Sequence, residues 1–236
     1  MKRHVVYCWL AWSLIAVSPL RAEEFRFPVR HDHAIGSCRG ELVFKEDGVE
    51  FLTPHRKHAR TWKYEDIQQI GLLGPQTVSI LSYEDNRWKL GKDRNFRFEL
   101  AEGEIPSSLW TMLQAKVARP LVSAIIPPGI HLRFRIPVKH ERGFAGTHGS
   151  LEISDQHVVY RTDAKKDSRI WRYQDISSIG TTGPYQLRLT SMERVQGESG
   201  GERNFVFALK RKLDPEIYDF LWWKINGPML SSFPGK

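Results

Sequence analysis

Short runs of alternating hydrophobic and polar residues, separated by turn-forming residues, occupy most of this chain. Residues 40–44 and 49–51 alternate on either side of the polar residues 45–48, a pattern typical of a β-hairpin with one buried face. Residues 95–100 alternate most regularly. Because each run is too short for a helix and is bounded by turn residues, the pattern predicts six or seven short antiparallel strands.

The same pattern returns 109 residues later. The offset holds without a gap from residues 25–106 to residues 134–215, and about a third of the aligned residues are identical. The clearest shared stretch is Trp-x-Tyr-x-Asp-Ile, which contains Trp62, Tyr64, Asp66, Trp171, Tyr173 and Asp175. We interpret this motif as structural: two aromatic side chains on one face of a strand, then a carboxylate that accepts backbone N–H groups in a turn.

An amphipathic helix is predicted at the end of each copy. The first begins at Pro106, and the second has Asp214 as its N-cap and Pro215 at its first position. The buried stripe predicted for the first helix consists of Leu109, Met112, Leu113 and Val117. In the second helix, Trp223 lies on the side of Asp219 and Asn226, where we expect it to pack on the other module or, alternatively, to form an exposed interface.

The predicted fold is mainly β: two tandem small antiparallel barrels or sandwiches of six to seven strands, each closed by a C-terminal α-helix. Closure into a barrel protects strand edges that would otherwise be exposed. The divisions are a leader at residues 1–22, module 1 at residues 23–119, a semi-rigid linker at residues 120–132, module 2 at residues 133–226 and a loosely ordered tail at residues 227–236.

The strand hairpins, the Trp-x-Tyr-x-Asp-Ile motif, the final Phe-x-Phe-x-Leu strand and the helix together resemble pleckstrin-homology-like domains, especially their bacterial and GRAM-type versions. The resemblance covers nearly all of both modules. It implies binding of a ligand or partner and no catalysis. Phosphoinositide-binding members have basic residues in the loop after the first strand, where this chain has Arg30, His31, His33 and Arg39, or Lys139, His140, Arg142 and His148.

Residues 1–22 have the layout of a secretory signal peptide. A basic start precedes an apolar run that is short for a membrane span, and Ala22 offers a small residue for cleavage. The modules are therefore expected in the periplasm or outside the cell, or anchored to the membrane if the signal is not cleaved. Cleavage lowers the formal charge from +8 to +5, and Cys38 remains as the one cysteine, so no internal disulfide is predicted.

No cofactor, metal or nucleic acid is predicted to bind. His31 and His33 would place two imidazoles on one strand face for zinc, but Arg142 replaces His33 in module 2 and no further ligand pair has recognisable spacing. We therefore expect an exposed polar strand there. Basic and acidic residues are mixed along the chain, and no aromatic RNA-binding motif is present.

The function predicted from these features is that of an exported, non-enzymatic binding or scaffolding protein that contacts a protein partner in the cell envelope. An alternative is binding of anionic lipid or envelope polymer through the basic loops. The candidate binding residues are Arg30, His31, Arg39, His55, Arg56, Lys57, Arg60, Lys139, His140, Lys165, Lys166, Arg169 and Trp223.

An enzymatic alternative comes from residues 197–201, which match the G-x-S-x-G motif of serine hydrolases with Ser199 as the nucleophile. The chemistry requires that serine on a sharp turn between a strand and a helix. Here the motif lies between two predicted strands, which favours a flexible hairpin loop and no catalysis.

Overall fold

A computed structural model of the chain describes residues 23–33, 36–86, 91–143, 145–164, 167–194 and 201–231. Within these ranges the protein is mainly β, with fifteen strands and two helices. The predicted leader at residues 1–22 lies outside the described residues. Neither helix in the described part of the chain is long and apolar enough to cross a membrane.

Module 1 contains seven strands and one helix, as the alternation predicts. They are β1 (Phe25–Asp32), β2 (Ser37–Phe44), β3 (Gly48–Leu52), β4 (Arg60–Lys63), β5 (Ile67–Gly74), β6 (Thr77–Asp85), β7 (Asp93–Leu100) and α1 (Ser107–Lys116). Strand β1 illustrates the cause: Phe27, Val29 and His31 are buried, whereas the residues between them are exposed. A period of two places alternate side chains on opposite faces of the sheet.

Module 2 repeats this order after a short extra strand, β8 (Leu121–Ser123). Its elements are β9 (Leu132–Arg142), β10 (Ala145–Ser154), β11 (His157–Arg161), β12 (Arg169–Arg172), β13 (Ile176–Gly180), β14 (Gln186–Ser191), β15 (Arg203–Leu209) and α2 (Pro215–Ser231). The backbone N–H of Glu216 donates to Asp214 Oδ1 at 3.0 Å, which is the predicted N-cap of α2.

All fifteen strands form one sheet, in the order β13-β14-β15-β9-β10-β11-β12-β8-β5-β6-β7-β1-β2-β3-β4. Each module contributes seven strands in the same internal order, and β8 joins the two sets. The sheet is open, with β4 and β13 at its ends among the described strands. The tandem closed barrels expected from the sequence are therefore not shown.

The segment predicted as a linker is in fact part of the sheet. Strand β8 pairs in parallel with β5 and antiparallel with β12, so it is hydrogen-bonded to both modules. Leu121 and Val122 are 2% and 4% exposed. Burial of two apolar side chains between the modules explains why this segment is ordered although prolines flank it.

The two hydrophobic cores meet at the junction. Val159 and Ile170 belong to module 2 but pack within the core of module 1. The guanidinium of Arg172 donates to the carbonyl oxygens of Val117 at 2.6 Å and Arg119 at 2.8 Å, at the C-terminal end of α1. It also donates to the carbonyl oxygen of Gln114 at 3.2 Å, one of the last four carbonyls of α1, which a helix end leaves without partners within the helix. The modules are thus packed together and not merely tethered.

The end of α2 differs from prediction in its length. The helix continues to Ser231, through Gly227 and Pro228, where a loosely ordered tail was expected. Packing of the earlier turns outweighs the low helix propensity of these two residues. Trp223 is 61% exposed, which favours the exposed alternative over packing on module 1. It follows the buried Leu221 by two residues, about 200° around the helix, and so lies on the outer face.

Candidate functional site

The tryptophans of the repeated motif are enclosed at equivalent positions. Trp62 on β4 is 3% exposed and Trp171 on β12 is 1% exposed. Each indole Nε1 donates to a carboxylate 22 residues later in the sequence, that of Glu84 at 3.1 Å and that of Glu193 at 3.0 Å. The indole of Trp62 therefore links β4 to β6, and that of Trp171 links β12 to the residues after β14. Both indoles are shielded from solvent.

The tyrosines of the motif lie on 3-10 turns, Tyr64–Asp66 and Tyr173–Asp175, and not on the strand with the tryptophans. The expectation of two aromatics on one strand face is therefore wrong. Each phenol donates to a backbone carbonyl 2.7 Å away, and burial raises the pKa of both phenols. One partly buried, hydrogen-bonded hydroxyl group thus fixes each turn against its module.

The aspartates of the motif differ between the modules. Asp66 is exposed. Asp175 is 3% exposed, lies 2.7 Å and 2.8 Å from the guanidinium of Arg172, and accepts the backbone N–H of Leu121. The predicted capture of backbone N–H groups by this carboxylate thus occurs in module 2, where it fastens β8 and not a turn.

A groove of about 870 Å³ opens beside strand β13, between the end of α2 and the junction of the modules. Its apolar lining includes Ile176, Met192 and Ile225, and Lys224 and Gln114 contribute polar groups. Met192 is 41% exposed. Among the described strands, β13 pairs with β14 alone, so its other edge faces away from the sheet next to this groove.

A cluster of histidines and Cys38, the one cysteine among the described residues, lies at one end of module 1. The sheet register places Cys38 on β2 opposite His31 on β1, and His33 follows β1. The loop between β3 and β4 brings His58 next to them. The potential ligand atoms of His33, Cys38 and His58 all lie within 4.8 Å of one another, and His33 Nε2 is 3.1 Å from Cys38 Sγ.

Two further histidines, His31 and His55, lie next to this cluster. The ring of His31 lies 4.5 Å from that of His33, and the ring of His55 lies 5.8 Å from that of His58. His31 is 5% exposed, so the expected exposed polar strand is wrong at this position. Its Nδ1 is 2.9 Å from the carbonyl oxygen of Arg97, and burial lowers its pKa. The buried side of the cluster is therefore held by a neutral, hydrogen-bonded ring.

The other candidate binding residues lie in several settings and do not form one basic surface. Arg39, His55, Arg56, Lys57 and Lys139 are exposed. Arg30 is also exposed and lies 3.3 Å from Asp32, and Arg60 lies 3.3 Å from Glu84. His140 and Arg169 are 4% and 8% exposed, so like His31 they are not part of an anion-binding surface. Lys165 and Lys166 lie outside the described residues.

Comparison with known proteins adds little to this geometry. No protein-family model matches the chain, and no curated protein matches it. The crystal structure of the C-terminal domain of an unknown protein from Leishmania infantum aligns with a TM-score of 0.29 and 12% identity, over 39% of this chain and 80% of that chain. The structure of the Spt16D Pob3N heterodimer aligns with a TM-score of 0.30 and 11% identity, over 72% of this chain and 82% of that chain. At these scores neither similarity carries an argument, and the pleckstrin-homology-like arrangement stays a prediction.

Ser199, the nucleophile of the enzymatic alternative, lies outside the described residues. Reasoning from the sequence missed the groove beside β13. Of the cluster around Cys38, it considered only His33, as a zinc ligand together with His31, and did not connect Cys38 or His58 with it. The groove depends on which strand edges are covered, and a sequence does not state that. One feature of the sequence could have indicated the cluster. Module 1 has His33, Cys38 and His58 at the positions where module 2 has Arg142, Thr147 and Asp167.

Proposed function

We propose that this chain is an exported, non-enzymatic binding protein that recognises an extended segment of a protein partner along strand β13. Export rests on the basic start and apolar run of residues 1–22, which would place both modules in the periplasm or outside the cell. The observation that carries the binding proposal is internal to the chain. In module 1, the equivalent strand edge is already occupied by an extended segment, β8.

The contact between β8 and β5 serves as a template for this recognition. Ile70 N–H donates to the carbonyl of Pro120 at 3.2 Å, and Ala124 N–H donates to the carbonyl of Leu72 at 2.8 Å. Between them, Leu121 lies opposite Ile70 and joins the core of module 1. Three residues thus add to a strand edge through backbone hydrogen bonds and one buried aliphatic side chain, which is the mode of β-strand addition.

The corresponding edge in module 2 lacks such a cover among the described residues. Ile179 and Gly180 are the counterparts of Ile70 and Gly71, and they are partly exposed where the module 1 residues are buried. The edge of a strand presents unpaired N–H and C=O groups that favour pairing with another chain. An exposed edge beside an apolar groove therefore supports a site for an extended peptide.

The groove defines the chemistry of the partner segment. Met192 and Ile225 offer accessible apolar surface next to the buried Ile176, which fits an aliphatic side chain in the place that Leu121 takes in module 1. Backbone hydrogen bonds supply affinity without regard to sequence, and the pocket selects the side chain. We expect the partner to present a short, extended, uncharged stretch with a Leu, Ile or Val at its centre.

A labelled peptide with the sequence of residues 119–126, which includes β8, tests this proposal by fluorescence anisotropy with the mature chain. We expect saturable binding to wild type and at least about 10-fold weaker binding to Ile179→Pro, because proline removes the N–H on the open edge. Met192→Glu places a charge in the groove without altering the backbone and is expected to weaken binding to a similar extent.

Ser178→Ala is the matched control, since it changes an exposed side chain of the same strand and keeps every backbone donor. Circular dichroism establishes that each variant is folded. Absence of peptide binding to wild type, or equal binding to wild type and both groove variants, would refute the proposal. Proteins captured from envelope extract by wild type and not by Ile179→Pro would then identify the partner.

A further inference from the structure

We propose that module 1 binds a zinc-type transition-metal ion through His33, Cys38 and His58. The three side chains come from separate segments: the end of β1, strand β2 and the loop between β3 and β4. Their potential ligand atoms lie within 4.8 Å of one another. In tetrahedral zinc sites with Zn–S near 2.3 Å and Zn–N near 2.0–2.1 Å, sulfur and nitrogen ligands are about 3.5 Å apart, so small side-chain movements would complete the geometry.

The donor set selects the class of metal. One thiolate and two imidazoles suit Zn²⁺ and its neighbours among the borderline-to-soft ions, and do not suit Mg²⁺ or Ca²⁺, which prefer oxygen ligands. Three protein ligands leave a fourth tetrahedral position for water or a donor from outside the chain. The exposed loop that carries His58 gives a metal ion access to this position.

The second module provides an internal comparison at the same three positions. Arg142, Thr147 and Asp167 replace His33, Cys38 and His58. Arg142 forms an ion pair with Asp167, and Thr147 Oγ1 donates to Asp167 Oδ2 at 2.8 Å. In module 2 the polar side chains at these positions are therefore paired with one another and need no metal ion.

In module 1, one ligand group at these positions has no protein partner among the described residues. His58 Nδ1 is buried and has no hydrogen-bond partner in the described structure. The cation–anion pair that stabilises this end of module 2 is replaced by three groups that can each coordinate a metal. One duplicated framework thus carries a self-satisfied polar cluster in one copy and a set of metal ligands in the other.

A metal-free alternative is a simple hydrogen bond between the Cys38 thiol and His33. Burial raises the pKa of that thiol, so without a metal the sulfur keeps its proton. A serine at position 38 would keep the hydrogen bond but remove the soft ligand, and this difference separates the two accounts.

Titration of the mature, chelator-treated chain with Co²⁺ tests the site, because a thiolate bound to Co²⁺ gives a charge-transfer absorption band. We expect one Co²⁺ per chain with this band, and displacement of Co²⁺ by Zn²⁺. Cys38→Ser should lose the band and bind Zn²⁺ at least about 100-fold more weakly, beyond the 10–100-fold cost of losing an outer-shell partner. His148→Ala, which removes an exposed histidine of module 2, should bind as wild type does.

The triple variant His33→Arg, Cys38→Thr, His58→Asp gives module 1 the residues of module 2, an arrangement already compatible with this fold. It should remain folded by circular dichroism and bind no Co²⁺ with a charge-transfer band. The absence of that band in wild type would overturn the proposal. Zn²⁺ affinity of Cys38→Ser equal to that of wild type would overturn it as well.

Discussion

Trp62 and Trp171 act at the scale of single residues, since each fills a core and donates one hydrogen bond. Replacement by alanine should lower the free energy of unfolding by about 3–5 kcal/mol in each case, because a large buried cavity results. Urea denaturation followed by circular dichroism measures this change. Trp223→Ala, at a position that is 61% exposed, is the control and should shift stability by no more than about 0.5 kcal/mol. An unchanged midpoint for both core variants would contradict the assignment.

Two buried histidines make stability depend on pH. Burial lowers the pKa of His140 and of His157 to about 4, whereas both have a pKa near 6.5 in the unfolded chain. Between these values the unfolded state binds more protons. The stabilisation is therefore fully present above about pH 6.5 and is lost as the pH falls towards 4. Each histidine should account for about 1–3 kcal/mol of that loss.

Unfolding midpoints measured in steps from pH 7 to pH 4 check this expectation. His157 Nε2 lies 3.0 Å from Gln114 Oε1, and the His157 ring packs edge-to-face against Trp110 at the junction of the modules. His157→Gln removes one titrating group there, so its stability should fall less steeply with pH than that of wild type. Burial raises the pKa of Asp175, which opposes the histidines and reduces the total slope. Equal slopes for wild type, His157→Gln and the exposed control His148→Gln would contradict the prediction.

At the scale of elements, the strands and the starts of the helices were predictable from the sequence, because local chemistry specifies them. The alternation of β1 and β7 and the Asp214–Pro215 start of α2 lie within the element itself. Strand β8 was not predictable, since an alternation of hydrophobic and polar residues cannot be recognised over three residues beside a proline. Its place in the sheet comes from burial of Leu121 and Val122 between modules, which is a tertiary effect.

The site features were less predictable than the strands for the same reason. His33, Cys38 and His58 lie 5 and 20 residues apart, and no common spacing of metal ligands links them. Their proximity follows from the register of β1 with β2 and from the loop after β3. A shift of one residue in that register would turn Cys38 away from the core. The cluster was therefore visible in the sequence only as a difference between the two modules.

At the scale of the whole molecule, differences between the copies also explain how they are joined. Module 2 buries Ile170 and Arg172 against module 1, whereas their counterparts Thr61 and Lys63 on the edge strand β4 are exposed. An apolar residue and a bidentate cation suit a junction, and a threonine and a lysine suit a free edge that must avoid pairing with other chains. This surface is therefore buried against the neighbouring module in module 2, whereas in module 1 it is polar and exposed.

This asymmetry predicts that the two modules unfold together and that the surface of module 2 couples them. Wild type should show a single calorimetric transition, because β8 and the core of module 1 include residues from both sides of the junction.

The double variant Ile170→Thr, Arg172→Lys gives module 2 the polar surface of module 1 and leaves Asp175 without its bidentate partner. Loss of such a buried pair costs about 3–5 kcal/mol, so the transition should move to lower temperature and split in two. The control Thr61→Ala, Lys63→Ala changes the exposed counterparts and should keep one transition at the wild-type temperature. A single transition for the double variant, unshifted from wild type, would show that the modules are not coupled through Ile170 and Arg172.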